Sequence, residues 1–268
     1  MCGQRCLFVP ASSPSPEYPP LVLVGGLGQT IGSYESHVPY LSRDRNVLVY
    51  ECLGQGFPEN NGDVYSNVTL PFQAERLLMT VKEVISGEFD FVGFSLGGRI
   101  GMAAATLNGD IRRLHLTGIA SRRSLQGEVA LEAWRNMIQD GNLQGFAWSA
   151  LQTTYSASFL HANKHRLSAW VHRLQHSNSE AGLLSLLGQA YPDSPEDPWQ
   201  VSSMATRIPH KGRILVGECD SMIVDPGALA SVLQWESPHV IPGCGHAVPL
   251  EHPRTWRNHV LEFLDHER

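Results

Sequence analysis

Phe89-Asp-Phe-Val-Gly-Phe-Ser-Leu-Gly-Gly-Arg-Ile100 is the stretch on which the reading of this chain turns, because Gly93-Phe94-Ser95-Leu96-Gly97 within it reads Gly-x-Ser-x-Gly. An apolar run of strand length precedes the serine, and the small-residue segment Gly97–Leu107 with helical character follows it. In that strand–turn–helix context the pattern is a nucleophile elbow, a strained turn that lifts the serine oxygen clear of the backbone. The flanking glycines are needed because side chains there would collide with the neighbouring strand and helix.

A serine hydroxyl is a poor nucleophile unless a base takes its proton, and the base needs a third group to orient it. Downstream, "RILVGECDSMIVDP" runs off an apolar strand into Asp220, and "HVIPGCGHAVPLEHP" runs off the last strand into His246. Glu218 and Asp225 share the first of these loops and His252 lies near the second, so each is an alternative on residue type alone.

Outward from the elbow, short apolar runs bounded by turn residues alternate with helix-compatible segments, the pattern of a parallel sheet with crossover helices. Strands are expected at Cys6–Val9, Leu21–Val24, Asn46–Tyr50, Phe89–Gly93, Arg113–Thr117, Arg213–Val216 and His239–Ile241. Helices are expected at Ser33–Ser42, Leu70–Ser86, Gly97–Leu107, Pro226–Trp235 and Pro253–Glu267. The alternation stops near Ala120 and resumes near Arg213, with helical periodicity and no convincing strand between. The reading is an N-terminal core part over 1–120, a helical lid over 121–212 returning through Pro192, Pro195 and Pro198, and a C-terminal core part over 213–268. A helical insertion between strands of a parallel sheet is easiest to place over the strand C-termini, where ligands bind in such folds.

The chain has 268 residues, of which 42% are hydrophobic and 17% charged, an ordinary globular composition. Its net charge of -6 leaves no basic surplus for nucleic acid or an anionic membrane. A small-molecule substrate is the expected partner. The five cysteines Cys2, Cys6, Cys52, Cys219 and Cys244 are scattered, which fits a reducing compartment and no disulfide framework. None has zinc-ligand spacing, and no metal or cofactor is expected. No run approaches transmembrane length and no signal peptide is evident, so a soluble cytoplasmic protein is expected, organellar targeting remaining open. Asn67-Val-Thr69 matches a glycosylation acceptor, read as chance in an unsecreted chain.

Gly25-Gly26-Leu27-Gly28, after the apolar run Leu21–Val24, admits two readings. One is a dinucleotide pyrophosphate loop, with Gly26-x-Gly28 and Glu51 as the ribose acid, although Ile31 stands where the third glycine belongs. The other is an oxyanion loop.

The order Ser95, Asp220, His246 and the elbow resemble the α/β-hydrolase superfamily, from the glycine loop to the final helix. The resemblance implies a mostly parallel central sheet with helices on both faces and one early strand fewer than usual. It implies Ser95 as nucleophile, His246 as general base and Asp220, by its spacing after the strand, as the residue fixing the imidazole. The backbone amides of Leu27 and Leu96 are then the oxyanion donors. Gly25 stands where the family usually has histidine, and Leu53-Gly-Gln-Gly where many relatives have Arg-Gly-x-Gly, so loop anchoring is expected to differ. The substrate pocket is assigned to Gly26, Phe94, Arg99, Trp134 and Trp148.

The activity implied is hydrolysis of a small carboxylic ester, thioester or lactone through an acyl-enzyme on Ser95. Gly-Phe-Ser-Leu-Gly-Gly-Arg also resembles the elbow of 2-succinyl-6-hydroxy-2,4-cyclohexadiene-1-carboxylate synthase, which implies proton abstraction and elimination, with Arg99 on a substrate carboxylate. Arg122, Arg123, Arg135 and Arg173 are further candidate anion partners by residue type, the alternative being solvated helix faces balanced by Glu128, Glu132, Asp140 and Glu180. A ligand receptor built on the same fold is the non-enzymatic reading.

Overall fold

The computed structural model describes residues 5–15, 17–56, 68–107, 109–189 and 196–265. Asn67 of the acceptor motif, Pro192 and Pro195 of the return segment, and the last two residues of the expected C-terminal helix lie outside them.

Seven strands form the main sheet: β1 (Cys6–Val9), β2 (Leu21–Val24), β3 (Val47–Tyr50), β4 (Phe89–Phe94), β5 (Ile111–Thr117), then, after a two-residue β6 (Arg122–Arg123), β7 (Lys211–Gly217), and, after a two-residue β8 (Ile223–Val224), β9 (His239–Ile241). Their order is β1-β3-β2-β4-β5-β7-β9. Every pairing in this sheet is parallel except β1 with β3. "LVLV" of β2 and "VLVY" of β3 are buried throughout, as strands covered on both faces must be. Alternate side chains feed opposite layers: Val22, Val24, Leu48 and Phe91 enter one core, while Leu21, Leu23, Val49 and Val92 enter the other with Trp256.

The helices are α1 (Val38–Leu41), α2 (Leu70–Val84), α3 (Leu96–Thr106), α4 (Leu125–Gln139), α5 (Leu143–Thr154), α6 (Ala157–Ala162), α7 (Leu167–His176), α8 (Glu180–Gln189), α9 (Val201–Ala205), α10 (Pro226–Leu233), α11 (Val248–Glu251) and α12 (Pro253–Asp265). In α2 the Thr69 side chain caps the Phe72 amide at 3.3 Å, Pro71 occupies the first turn, and Leu70, Ala74, Leu77 and Val81 are buried at helical spacing. No helix among the described residues is long and apolar enough to cross a membrane.

Two expectations are corrected. Ser33–Ser42 is not one helix but a 3-10 turn, Ile31–Tyr34, followed by α1. Pro39 has no N–H for the carbonyl four residues back and its ring would clash there, so the α-helix restarts with the proline in its first turn. Second, the interval expected to lack strands contains β6, which pairs antiparallel with β8 through Arg122–Val224 and Arg123–Ile223. Two residues carry no readable periodicity. The pair ties the start of the helical interval α4–α9 to the loop after β7, and Ser124 adds a backbone bond to the Met222 carbonyl at 3.1 Å and a hydroxyl bond to the Ser221 carbonyl.

Candidate active site

Ser95 joins β4 to α3 with φ 51°, one of three non-glycine residues with positive φ among the described residues. Such a conformation is strained for an L-residue and persists only when its surroundings enforce it. They do so here by contact: a Cβ at Gly93 would meet the Gly98 Cα at 2.6 Å, and one at Gly97 would press into the Val24 carbonyl of β2. The elbow therefore sits with no side chain between helix and sheet. Leu96 opens α3, so its amide has no intrahelical acceptor.

From the C-terminal ends of β7 and β9, the loops bring Asp220 and His246 to the serine. His246 Nε2 lies 3.0 Å from Ser95 Oγ, and His246 Nδ1 lies 2.7 Å from Asp220 Oδ2. With its proton on Nδ1 the imidazole donates to Asp220 and accepts from the serine hydroxyl. Asp220 Oδ1 accepts from the Met222 amide at 2.9 Å, and the side chains of both His246 and Asp220 are buried. The alternatives are occupied elsewhere: Glu218 accepts from the Gly243 amide at 2.8 Å, Asp225 caps α10 through Ala228, and His252 ends α11.

The glycine loop passes beside the elbow, where a Cβ at Gly26 would strike the Phe94 ring at 2.9 Å. No α-helix opens from it. Glu51, the would-be ribose acid, is engaged by the Ile31 amide at 2.9 Å and by Arg5 at 2.9 Å, which removes the acid on which the pyrophosphate reading depends. The family's histidine has no room at Gly25, since a Cβ there would lie 2.8 Å from the Tyr34 ring. Gln29 does the anchoring instead: its Oε1 accepts from the Gly26 amide at 2.8 Å and from the Tyr34 hydroxyl at 2.6 Å. Gln55, in the altered Leu53-Gly-Gln-Gly loop, donates to the Gly26 carbonyl, and Asn178, from between α7 and α8, donates to the Gly28 carbonyl at 3.1 Å. Gln29, Gln55 and Asn178 escape sequence reading because nothing in their spacing marks them.

Ser95, Leu96, Leu27, His246 and Phe94 line a cavity of about 1310 Å³, together with Arg99 and Trp134. Trp134 is 4% exposed and its indole N–H donates to Ser149 Oγ at 3.0 Å. Two residues assigned to the pocket lie outside the cavity lining: Gly26, which is buried, and Trp148, which is 41% exposed. Arg122, Arg123 and Arg173 also face the cavity; Arg135 does not, and lies 3.9 Å from Glu132 on its own helix. Arg99 is buried, and its Nε and Nη1 have no hydrogen-bond partner among the described residues. Burial, and then the nearby charge of Arg123, lower its pKa to about 9, while Asp197 pulls the other way.

Cys244, Glu251 and His252 bring possible metal-ligand atoms within 4.8 Å of one another. Both Glu251 oxygens are already used by hydrogen-bond donors, and burial pushes the Cys244 thiol up, away from the thiolate a metal needs. The cluster fits a structural role.

A family model described as the alpha/beta hydrolase family matches residues 21–257. The chain belongs to that family. Among its relatives, a proposed carbamate hydrolase, RutD, of Rhizobium rhizogenes (strain K84) is 23% identical over 254 residues, covering 93% of this chain and 94% of that protein. Pyrrolizixenacetamide deacetylase of Xenorhabdus hominickii is 26% identical over 261 residues, covering 92% and 91%. The crystal structure of MGS-M2, an alpha/beta hydrolase enzyme from a Medee basin deep-sea metagenome library, superposes with a TM-score of 0.81 at 19% identity, covering 99% of this chain and 96% of that one. Both relatives and the solved structure thus span nearly all of this alpha/beta hydrolase, helical interval included.

Proposed function

We propose that the protein is a serine hydrolase that cleaves a small carboxylic ester, thioester or lactone through an acyl-enzyme on Ser95. The observation that carries the reading is the hydrogen-bonded chain from Ser95 through His246 to Asp220 at the floor of a large cavity. His246 takes the serine proton as Oγ attacks the carbonyl, then returns it to the leaving group, and afterwards activates the water that releases the acid. Asp220 keeps the Nδ1 proton in place and stabilises the imidazolium. The amides of Leu27 and Leu96 receive the oxyanion, held by the Gln29, Gln55 and Asn178 contacts. The interval 121–212 acts as a cap over the strand ends. Hydrolases and a deacetylase among the family relatives support the reaction class.

Arg99 supports a narrower substrate class. The Arg99 guanidinium is poorly solvated and lines the cavity wall, so it favours a substrate that carries a carboxylate or similar group on that side. The same feature keeps an eliminating reaction of the synthase type as a second reading, with His246 and Ser95 handling a proton instead of an acyl group.

The decisive experiment is labelling with a fluorophosphonate probe, followed by turnover of a neutral and a carboxylate-bearing ester panel beside the synthase substrate. Labelling and ester turnover by wild type, both abolished in Ser95→Ala, are expected. No labelling and no turnover would favour a receptor, and turnover of the synthase substrate alone would favour elimination.

A further inference from the structure

Three aromatic rings meet in the cavity wall from three different parts of the cap: Tyr155 at the end of α5, Phe159 on α6 and Trp170 on α7. Their centroids are 5.3 Å apart for Tyr155–Phe159, 6.1 Å for Tyr155–Trp170 and 5.8 Å for Phe159–Trp170, with interplanar angles of 12°, 21° and 16°. Those distances exclude a pile. In a linear stack the outer pair would stand about twice as far apart as each adjacent pair, whereas here all three separations are nearly equal. The rings therefore lie as near-parallel tiles, each offset from the other two. Tyr155 and Trp170 are backed by Ala147, Leu151 and Val171, a small apolar cluster of the cap, and all three rings are half-buried.

The tiles stand beside the general base. The Thr154 carbonyl, next to Tyr155, accepts from the Ala247 amide, next to His246, at 2.9 Å. Ser156, on the other side of Tyr155, is bound to Glu251 through its amide at 3.1 Å and its hydroxyl at 2.6 Å. The first ring is thus fixed to the loop that carries His246, the residue that protonates the leaving group. If the cavity needed only to be apolar, aliphatic side chains would serve, and near-parallel alignment adds nothing for an alkyl chain. Offset stacking does reward alignment when the guest is itself a flat π-system.

We propose that Tyr155, Phe159 and Trp170 form a subsite for a planar aromatic or conjugated ring on the leaving-group side of the substrate. This deepens the hydrolase reading, and rests on it for the choice of side. Together with Arg99 it describes a two-ended substrate, with an anion near the elbow helix and a flat ring under the cap.

The test is binding to Ser95→Ala by calorimetry, so that it does not depend on turnover. The matched probes are benzyl butyrate against cyclohexylmethyl butyrate, and methyl 3-phenylpropanoate against methyl 3-cyclohexylpropanoate. Stacking is expected to favour benzyl over cyclohexylmethyl by about 3- to 10-fold, although the saturated ring is the more hydrophobic, with a smaller preference in the acyl pair. Trp170→Leu and Phe159→Leu, each introduced into Ser95→Ala and checked for a cooperative melt, are expected to bring the first ratio towards 1. A ratio at or below 1 in the parent, or one unmoved by both substitutions, overturns the subsite; a preference confined to the acyl pair overturns its side. Absence of ester turnover by wild type would instead count against hydrolysis, whatever these ratios are.

Discussion

Glu251→Ala removes a carboxylate that holds Ser156 of the helical interval to the His246 loop, and its effect can be worked from three contacts. Oε1 accepts from the Gly245 amide at 2.8 Å and the Ser156 amide at 3.1 Å, and Oε2 accepts from the Ser156 hydroxyl at 2.6 Å. Glu251 is 7% exposed and Ser156 6%, so water does not replace the lost acceptor. Each buried donor left unsatisfied costs about 1–3 kcal/mol, which for two amides and a hydroxyl that can turn to Ser158 gives a loss of about 3–5 kcal/mol. In a chain of 268 residues that is a fall in melting temperature of about 5–10 °C. Glu251→Gln keeps one carbonyl oxygen for the two amides, while its NH₂ can donate to the serine oxygen, so about 1–2 kcal/mol is expected. Calorimetry gives the stability, and fluorophosphonate labelling rates report the set of His246, one residue beyond Gly245. Alanine is expected to slow labelling by at least tenfold, and glutamine by much less. A loss below 1 kcal/mol for alanine, or equal effects of alanine and glutamine on both readouts, would refute the reasoning.

Three further outcomes follow from the geometry. Arg99→Met is expected to raise the melting temperature, because it removes a buried charge with unpartnered nitrogens, while lowering the kcat/KM ratio of carboxylate-bearing over neutral esters by tenfold or more; a lower melting temperature with an unchanged ratio would make Arg99 a structural residue. Asn178→Ala frees the Gly28 carbonyl and the Gly56 amide and is expected to reduce kcat about tenfold with a smaller change in KM, measured by steady-state kinetics, the opposite split denying it a part in holding the oxyanion loop. Burial lowers the pKa of His37 to about 4 and that of His115 to about 3, so the unfolded chain takes up protons there that the folded chain refuses. Their contribution to stability is present above about pH 6.5 and is lost as pH falls towards 4, at up to about 1.4 kcal/mol per pH unit for each histidine; chemical denaturation at pH 7, 6 and 5 should show the decline, and His37→Gln should remove about half of the part these two contribute.

The legible parts of this chain are those encoded by neighbours in sequence. The inner strands β2, β3 and β4 announce themselves because a strand buried throughout reads as a short apolar run, and Gly93-x-Ser95-x-Gly97 because the elbow's steric demands fall within five residues. Trp134 and Trp148 could not be separated by composition, although helical phase held a clue. In α5 the buried residues Phe146, Ala147, Ala150 and Leu151 share one face, which leaves Trp148 turned away. Gln29 could not be read as the loop's anchor, because its value depends on Tyr34 filling the space where a histidine would stand. Asn178 and Glu251 were further out of reach: their partners lie 150 and 95 residues away, and only the folded topology makes them neighbours. The three aromatic tiles combine both difficulties, since each ring fits the cap's own core and only their mutual angles distinguish a surface.

Each of the three loops that converge on Ser95 is bonded to a residue of the interval 121–212. Asn178 holds the glycine loop at Gly28, Ser124 holds the Asp220 loop at the Ser221 and Met222 carbonyls, and Ser156 shares Glu251 with Gly245 in the His246 loop. An insert that merely shielded the cavity would need apolar contact, not directed bonds to the backbone of all three loops. Directed bonds of this kind fix positions to fractions of an ångström, the tolerance that oxyanion donors and a serine–histidine pair require. On the proposed hydrolase reading, the interval 121–212 is therefore part of the frame that positions the reacting groups, and any opening of it for substrate must release one loop at a time or displace all three. The proposed reading thus couples stability and catalysis through Asn178, Ser124 and Glu251, and substitutions there are expected to move both together.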